Sequence, residues 1–219
     1  MHKILFEKTG EGVYISHLDL IRLFQRCFTR AGLMLKHSQG FSPKPYVAIA
    51  LPLSVGMHSV CEIMDFELEN DAAVPADLAE RLNRTLPKGI FVRSVYESDR
   101  KIRELSLLDA VITLEYDNGI PKSASETITE LFGREEVLVS KHSKKGEVTA
   151  DIRPMIKNLS VVVKNEYELE IACRVCAQNP TLNPMLLISA IEAYAPAARP
   201  DFAVCRRVEV YDAEGKIFR

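Results

Sequence analysis

The sequence predicts an α+β protein of two units, each with antiparallel strands and helices in the order strand, helix, strand, strand, helix, strand. Three observations lead to this prediction. Short apolar or alternating segments recur between turns rich in Gly and Pro, two segments in each half have helical periodicity, and a similar order of elements returns after a charged connector. The first unit is predicted at 1–99 and the second at 107–219.

The clearest element of the first unit is a helix that begins after Ser16 and ends before Gly32. Ser16 is a favourable N-cap, Asp19 complements the positive end of the helix, and glycine commonly follows a helix. The 46–53 segment is apolar at almost every position, which predicts a strand that is central in a sheet or buried on both faces. The other predicted elements of this unit are strands at 3–8, 62–69 and 90–96 and a helix at 76–86.

The 62–69 strand alternates apolar and polar residues, as a half-exposed strand does. Both helices are expected on one face of the sheet, which leaves the other face free. In the second unit the predicted strands are 111–116, 136–141, 167–175 and 205–211, and the helices are 123–132 and 183–194. An insertion at 142–165 follows the second of these strands. The fold is thus predicted as two tandem ferredoxin-like (βαββαβ) units, a duplication inferred from element order alone because no residue-level repeat is visible.

Composition excludes several classes of protein. The chain has 219 residues, 47% of them hydrophobic and 26% charged, which is ordinary for a soluble globular protein. No window approaches the roughly 18 consecutive apolar residues of a membrane span, and no secretion signal is visible at the N-terminus. We therefore expect a cytoplasmic protein with no membrane partner.

The five cysteines are widely spread and odd in number, which favours reduced, buried thiols over a disulfide framework. Cys173 and Cys176 form a C-x-x-C pair, but no second pair or histidine cluster completes a four-ligand metal site. The chain is therefore predicted to hold no metal.

Charge is distributed unevenly along the chain. The 42 residues from Leu20 to Cys61 contain no Asp or Glu and carry five Lys or Arg residues, whereas the chain as a whole has a net charge of −2 and its remainder therefore −7. A basic segment in an acidic protein indicates a surface that meets an anionic partner.

Within this segment a nucleic-acid-binding surface is predicted. Arginines at i, i+4 and i+8 share one helix face and can contact phosphates through their bidentate guanidinium groups. Phe41 and Tyr46 offer flat surfaces on which unpaired bases can stack, or else are core aromatics. The predicted binding residues are Arg22, Arg26, Arg30, Lys36, Phe41 and Lys44. The alternative is a solvated helix face on which Asp19 pairs with Arg22.

No catalytic motif is present: the sequence has no G-x-S-x-G, no H-E-x-x-H and no glycine-rich phosphate loop. His17 and His37 are the candidates for a general acid or base, because histidine serves this role most often. The alternative for His17 is a packed or capping side chain.

Motif residues in the first half resemble those of the radical-SAM-linked protein family, a domain of unknown function that is either fused behind a radical SAM protein or made as a separate chain. The motif residues include Ser16, His17, Asp19, Gly40, Phe41, Pro43, Pro45, Gly56 and Glu62. Asp151-Ile152-Arg153-Pro154 is a second landmark. In the loop, Lys44 stands where the family pattern has a histidine, so a cation replaces an imidazole.

The resemblance implies a partner that is a cobalamin-binding radical SAM protein. That partner would supply S-adenosylmethionine, an iron–sulfur cluster and cobalamin, since this chain lacks the C-x-x-x-C-x-x-C run of a radical SAM protein. Relatives often lie near genes for ribonucleases and ribosomal proteins, which implies RNA or a ribosomal component as a further partner. We therefore expect an accessory protein that binds RNA or a ribonucleoprotein for a radical SAM partner. The alternatives are an RNA-processing or RNA-modifying enzyme that uses His17 or His37, and a protein-interaction scaffold.

Overall fold

The computed structural model describes residues 1–39, 41–69, 72–143 and 146–219, with 141–143 and 147 described by their backbone alone. The chain divides into two compact units: unit 1 is Met1–Leu105 with Phe218–Arg219, and unit 2 is Ser106–Ile217. Both are mixed α+β structures whose sheets are antiparallel. No helix in the described ranges is both long enough and apolar enough to cross a membrane.

The described part of unit 1 contains four strands and two helices. They are β1 (His2–Lys8), α1 (His17–Arg30), β2 (Val47–Ile49), β3 (His58–Phe66), α2 (Leu78–Asn83) and β4 (Ile90–Glu97). The strands lie in the order β4-β1-β3-β2. Alternate residues of β1 and β3 point towards the helices, where Phe6 packs on Phe24 and Phe66 packs on Phe28 with ring centroids 4.9 Å apart. The element order predicted for this unit is confirmed.

The strand predicted at 46–53 differs most from the structure. Only Val47–Ile49 pairs, it pairs with β3 alone, and each of its residues is half-buried. Proline has no N–H to give to a ladder, and Pro45 and Pro52 lie on either side of this short edge strand. The prediction of a central strand was therefore wrong. β3, predicted as half-exposed, is buried at most positions.

The sheet face of unit 1 opposite the helices is covered, contrary to the prediction that it is free. Lys3 and Asp65 are cross-strand neighbours there and form a buried ion pair with a distance of 2.5 Å between Nζ and Oδ1. The Phe218 ring lies 5.8 Å from Lys3 Nζ and 4.6 Å from the Arg100 guanidinium carbon. Ser98 donates a hydrogen bond to the Arg219 carbonyl, which holds the chain end in place.

The described part of unit 2 contains six strands and two helices. They are β5 (Leu107–Glu115), α3 (Ala124–Gly133), β6 (Leu138–Ser143), β7 (Gly146–Asp151), β8 (Ile156–Val163), β9 (Glu168–Cys176), α4 (Leu186–Tyr194) and β10 (Phe202–Tyr211). Four of the strands lie in the order β10-β5-β9-β8, and β6 pairs with β7 in a separate two-stranded sheet.

The strand predicted at 136–141 is not part of the main sheet of unit 2. It corresponds to β6 in the two-stranded sheet, and the main sheet instead takes β8 from within the predicted insertion at 142–165. Asp151 closes the two-stranded sheet, since its Oδ1 accepts the N–H groups of Val137 and Arg153. β8 alternates exposed Asn158 and Ser160 with less exposed neighbours, as a strand with one covered face does. The extra segment between α3 and the second strand of the sheet is therefore the β6–β7 hairpin.

Candidate nucleic-acid interface

Helix α1 forms where its sequence predicts it. The Ser16 Oγ accepts the Asp19 N–H at 3.2 Å and donates to Asp19 Oδ2 at 2.8 Å, which closes the first turn. Gly32 adopts φ +77° just after the helix, a conformation that glycine allows without strain. The buried face of the helix is formed by Leu20, Phe24, Cys27 and Phe28. The opposite face is left to solvent.

Three arginines form a row on this exposed face. Arg22, Arg26 and Arg30 are all exposed, and successive members are about 6 Å apart along the helix axis. Arg22 forms an ion pair with Asp19 at 3.0 Å, as the alternative interpretation of the sequence expects, and Arg26 Nε donates to the Arg22 carbonyl. Hydrogen bonds from Ser16 and then from Arg22 lower the pKa of Asp19. Arg30 has no acidic partner among the described residues.

The segment 36–46, which we call the basic hairpin, folds back on itself beside α1. Tyr46 N–H donates to the Lys36 carbonyl at 2.7 Å, and Ser38 N–H donates to the Lys44 carbonyl at 2.9 Å. The Gln25 side chain of α1 donates to the Pro45 carbonyl at 2.8 Å. This bond anchors the end of the basic hairpin to the helix that carries the arginine row.

Phe41 lies in the turn of the basic hairpin and is fully exposed. Gly40, a motif residue beside it, lies outside the described residues. A phenylalanine ring left entirely in water contributes nothing to the core, so the interpretation of Phe41 as a core aromatic is wrong. Its position is that of an aromatic side chain available for contact with a ligand.

The cations of the basic hairpin differ in their surroundings. Lys36 Nζ pairs with Glu67 at 2.7 Å, and His37 Nδ1 lies 4.0 Å from Glu69. Lys44 is exposed and makes no ion pair within the described part of the chain. The segment is free of acids in sequence, but the chain after β3 brings two glutamates beside it. Charge counting along the sequence missed this neutralisation.

The two candidate catalytic histidines lie at opposite ends of α1. His17 begins the helix and is half-buried, and its Nδ1 has no hydrogen-bond partner in the described structure. His37 follows the helix and lies in the basic hairpin. No hydrogen bond or ion pair joins them in the described ranges, so the structure does not assemble a catalytic pair from them.

Other motif residues lie in turns or in the interior of unit 1. Gly56 adopts φ +86° and donates its N–H to the Val13 carbonyl at 2.9 Å. Glu62 is buried within β3. Pro43 and Pro45 lie in the basic hairpin, where they prevent regular pairing.

All five cysteines are buried, free thiols. Burial raises the pKa of Cys173 to about 12, which disfavours the thiolate form that binds metals. Among the described residues, no group of three or more His, Cys, Asp or Glu side chains could hold a metal ion.

Sequence reasoning did not single out the pocket of unit 1 that Tyr46 and Asp65 line, which has a volume of about 440 Å³. Its lining includes Tyr46, Asp65 and three basic residues between β4 and the end of unit 1. The pairing of Asp65 with Lys3 depends on the register of β1 and β3, which no local pattern in the sequence reveals.

These features define a mixed α+β protein with a mostly antiparallel sheet, which presents a cationic helix face and an exposed aromatic hairpin. Its residues 2–184 match the family described as "Uncharacterized protein conserved in bacteria" (DUF2344), and the chain belongs to that family. No curated protein matches the chain.

Two solved structures share the fold at low sequence identity. One is a chain in "Crystal Structure of a Cbf5-Nop10-Gar1 Complex", with a TM-score of 0.54 and 11% identity over 95% of this chain and 48% of that chain. The other is a chain in "Structure of H/ACA RNP bound to a substrate RNA containing 2'-deoxyuridine", with a TM-score of 0.50 and 9% identity over 98% of this chain and 48% of that chain. This protein therefore spans about half the length of the chains it resembles.

Proposed function

We propose that this protein is an accessory protein that binds RNA or a ribonucleoprotein in the cytoplasm and presents it to a radical SAM partner. The observation that carries the RNA-binding proposal is the arginine row of α1 beside a basic hairpin with a fully exposed Phe41. Guanidinium groups on one line can contact successive phosphates, and an exposed aromatic ring can stack on an unpaired base. Proteins that bind single-stranded nucleic acid combine these two kinds of contact.

The contributions of the five cations are unequal. Arg26, Arg30 and Lys44 are exposed and form no ion pair within the described residues, so binding a phosphate breaks no ion pair. Arg22 and Lys36 must leave Asp19 and Glu67 or share them with the ligand. We therefore assign the strongest phosphate contacts to Arg26, Arg30 and Lys44.

The fold supports this proposal indirectly. We propose that both units are ferredoxin-like: the strand orders β4-β1-β3-β2 and β10-β5-β9-β8 are equivalent, and each unit has two helices. By their titles, the two solved structures are of a Cbf5-Nop10-Gar1 complex and of an H/ACA RNP with a substrate RNA. A shared fold does not transfer function, but a role in a ribonucleoprotein agrees with the cationic surface.

The radical SAM partner is proposed from the motif resemblance alone. In this proposal the partner supplies S-adenosylmethionine, the iron–sulfur cluster and cobalamin, and this chain supplies the substrate-binding surface. Anaerobic co-purification of the tagged protein with the radical SAM protein of the same cell tests the pairing. A stable complex is expected, and its absence with and without S-adenosylmethionine would contradict the partnership.

The RNA-binding proposal predicts a defined salt dependence. Each phosphate contact on a single strand contributes about −0.7 to the slope of log K against log salt. Contacts by Arg26, Arg30 and Lys44 therefore predict a slope of about −2, rising to about −3.5 if Arg22 and Lys36 also contribute. Fluorescence anisotropy with labelled single-stranded RNA over a range of salt concentrations measures it.

Variants separate charge from stacking. Arg26→Ala, Arg30→Ala and Lys44→Ala should each lower the slope by about 0.7, whereas Phe41→Ala should weaken binding and leave the slope unchanged. The matched control replaces Lys122 and Arg134, exposed cations that flank α3 in unit 2, and should bind as wild type does. If a folded variant without Arg26, Arg30 and Lys44 binds RNA as well as wild type, the proposal fails and the surface is that of a protein-interaction scaffold.

A further inference from the structure

The pocket of unit 1 that Tyr46 and Asp65 line lies at the end of the basic hairpin. Its volume of about 440 Å³ is within the range of small-ligand sites. Residues from the hairpin, from β3 and from the segment after β4 form its walls. Those that matter here are Tyr46, Asp65, Asp99, Arg100, Lys101 and Arg103.

Asp65 gives this pocket a hydrogen-bond acceptor. Its side chain is only 5% exposed, and Lys3 donates to Oδ1 at 2.5 Å. No other described residue donates to the carboxylate, and Oδ2 is not enclosed by the protein. Oδ2 can therefore accept a hydrogen bond from an N–H group of a ligand that enters the pocket.

Burial also affects the protonation of this carboxyl. Burial raises the pKa of Asp65, and this effect is larger than the opposite effect of the hydrogen bond from Lys3. In unit 1 the ion pair thus leaves Asp65 incompletely stabilised. Such a perturbed acid in a pocket is typical of a functional site.

Tyr46 and the basic residues supply the other groups that a nucleotide needs. Tyr46 is half-buried and is the last residue of the basic hairpin, so it connects the pocket to the arginine row. An aromatic ring at a pocket wall can stack on any base. Arg103 and Lys101 are exposed where they line the pocket and can contact a phosphate, while Arg100 is held over the Phe218 ring.

We propose that this pocket binds one unpaired nucleotide of the bound RNA whose base carries an amino group. Tyr46 stacks on the base, Asp65 Oδ2 accepts a hydrogen bond from the amino group, and Arg103 contacts the phosphate. Adenine, cytosine and guanine have such an amino group, whereas uracil has a carbonyl in the corresponding position, and its N3–H donor lies between two carbonyl oxygens that repel a carboxylate. The inference rests on the proposed RNA binding and adds base selectivity to it.

The test uses the full chain and oligouridines that differ at one central position, which is adenosine, cytidine, guanosine or uridine. Because the phosphates are the same in all four, any difference in affinity reports recognition of the base. At least one of the three RNAs with an amino-bearing central base should bind wild type about tenfold more tightly than all-uridine RNA. Asp65→Asn, whose amide nitrogen donates instead of accepting, should abolish that preference.

Two further variants test the other walls without breaking the ion pair. Tyr46→Leu should weaken binding of the preferred RNA about tenfold, and Arg103→Ala should lower the salt slope by about 0.7. Arg134→Ala in unit 2 is the control and should change neither. Since the preference is measured on wild type, the inference remains testable even if Asp65→Asn does not fold.

The outcomes separate this inference from the proposed function. If wild type binds all four RNAs with equal affinity and with the expected salt slope, base recognition by the pocket is overturned and the proposed RNA binding stands. If no RNA binds, the proposed function fails, and calorimetric titration with the four 5′-nucleoside monophosphates decides the pocket. Selective binding of an amino-bearing nucleotide over uridine monophosphate then supports a site for a free nucleotide, and no binding overturns it.

Discussion

Each unit places an ion pair across two neighbouring strands, and the two pairs are stabilised differently. In unit 1 β1 and β3 carry Lys3 and Asp65, and in unit 2 β5 and β9 carry Asp109 and Arg174. Each pair has an aromatic ring above its cation: Phe218 lies 5.8 Å from Lys3 Nζ, and Tyr211 lies 4.1 Å from the Arg174 guanidinium carbon. The order of acid and base along the chain is reversed between the units.

The surroundings of the two carboxylates are opposite. Asp65 is buried and receives one hydrogen bond from a side chain. The Asp109 side chain is 28% exposed and receives three, two from Arg174 at 2.7 and 2.8 Å and one from the Tyr211 hydroxyl at 2.9 Å. Burial raises the pKa of Asp65. At Asp109 burial acts in the same direction, but the bonds from Arg174 and Tyr211 outweigh it and lower the pKa.

The comparison indicates that the two ion pairs differ in how many hydrogen bonds their carboxylates accept. Arg174 and Tyr211 donate to both oxygens of Asp109. Lys3 donates to one oxygen of Asp65, whose side chain lines a pocket. An ion pair that leaves an oxygen for a ligand agrees with the nucleotide site proposed for unit 1. Breaking each pair in turn tests this distinction.

The largest expected effect is that of Lys3→Met. This change leaves Asp65 as an uncompensated buried charge and should lower the free energy of unfolding by about 3–5 kcal/mol at neutral pH. Urea denaturation followed by circular dichroism measures the loss. The double variant Lys3→Met/Asp65→Leu should regain most of the stability, because a buried pair can be replaced by apolar residues at little cost.

A loss below about 1 kcal/mol for Lys3→Met would contradict the description of Lys3–Asp65 as a buried ion pair, since it would mean that water reaches the two charges. A double variant that is no more stable than Lys3→Met would show that shape in this region matters more than charge. Either result would mean that the Lys3–Asp65 pair of unit 1 and the Asp109–Arg174 pair of unit 2 do not differ in their electrostatic contribution to stability.

Local patterns in the sequence predicted helices and strands best where a single residue determines the beginning or end of the element. Ser16 and Gly32 mark the ends of α1, and the structure confirms both. The arginine row follows from helical spacing and is exposed as predicted. The sequence also indicates Phe41 as a candidate for stacking but leaves a core position open. The structure shows that the ring is fully exposed.

Features that depend on strand register could not be predicted. Glu67 and Glu69 approach the basic hairpin only because the chain after β3 runs beside it. The Lys3–Asp65 pair joins residues 62 positions apart. The same limitation applies to 136–141: a strand is present there as β6, but an apolar run can pair in either of two sheets, and the local pattern does not say which.

The smaller effect is expected for Asp109→Asn in unit 2. The variant keeps the shape of the side chain but loses its charge and one of its two acceptor oxygens, so it cannot accept all three hydrogen bonds from Arg174 and Tyr211. We expect the free energy of unfolding at neutral pH to fall by about 1–3 kcal/mol, which is less than for Lys3→Met because solvent already screens part of this pair. The same urea denaturation measures it.

The pH dependence of this loss gives the sharper test. Because the pKa of Asp109 is lower in the folded protein than its ordinary value of 3.8, its stabilising contribution is complete above that value and is lost as the pH falls through the folded pKa. The difference in stability between wild type and Asp109→Asn should therefore shrink on acidification and approach zero once Asp109 is protonated in both folded and unfolded chains. Tyr211→Phe, which removes one donor but leaves both charges, is the matched control and should show a smaller loss with the same pH trend. A difference that grows as the pH falls would mean that burial dominates at Asp109 as it does at Asp65, and the two ion pairs would then be alike.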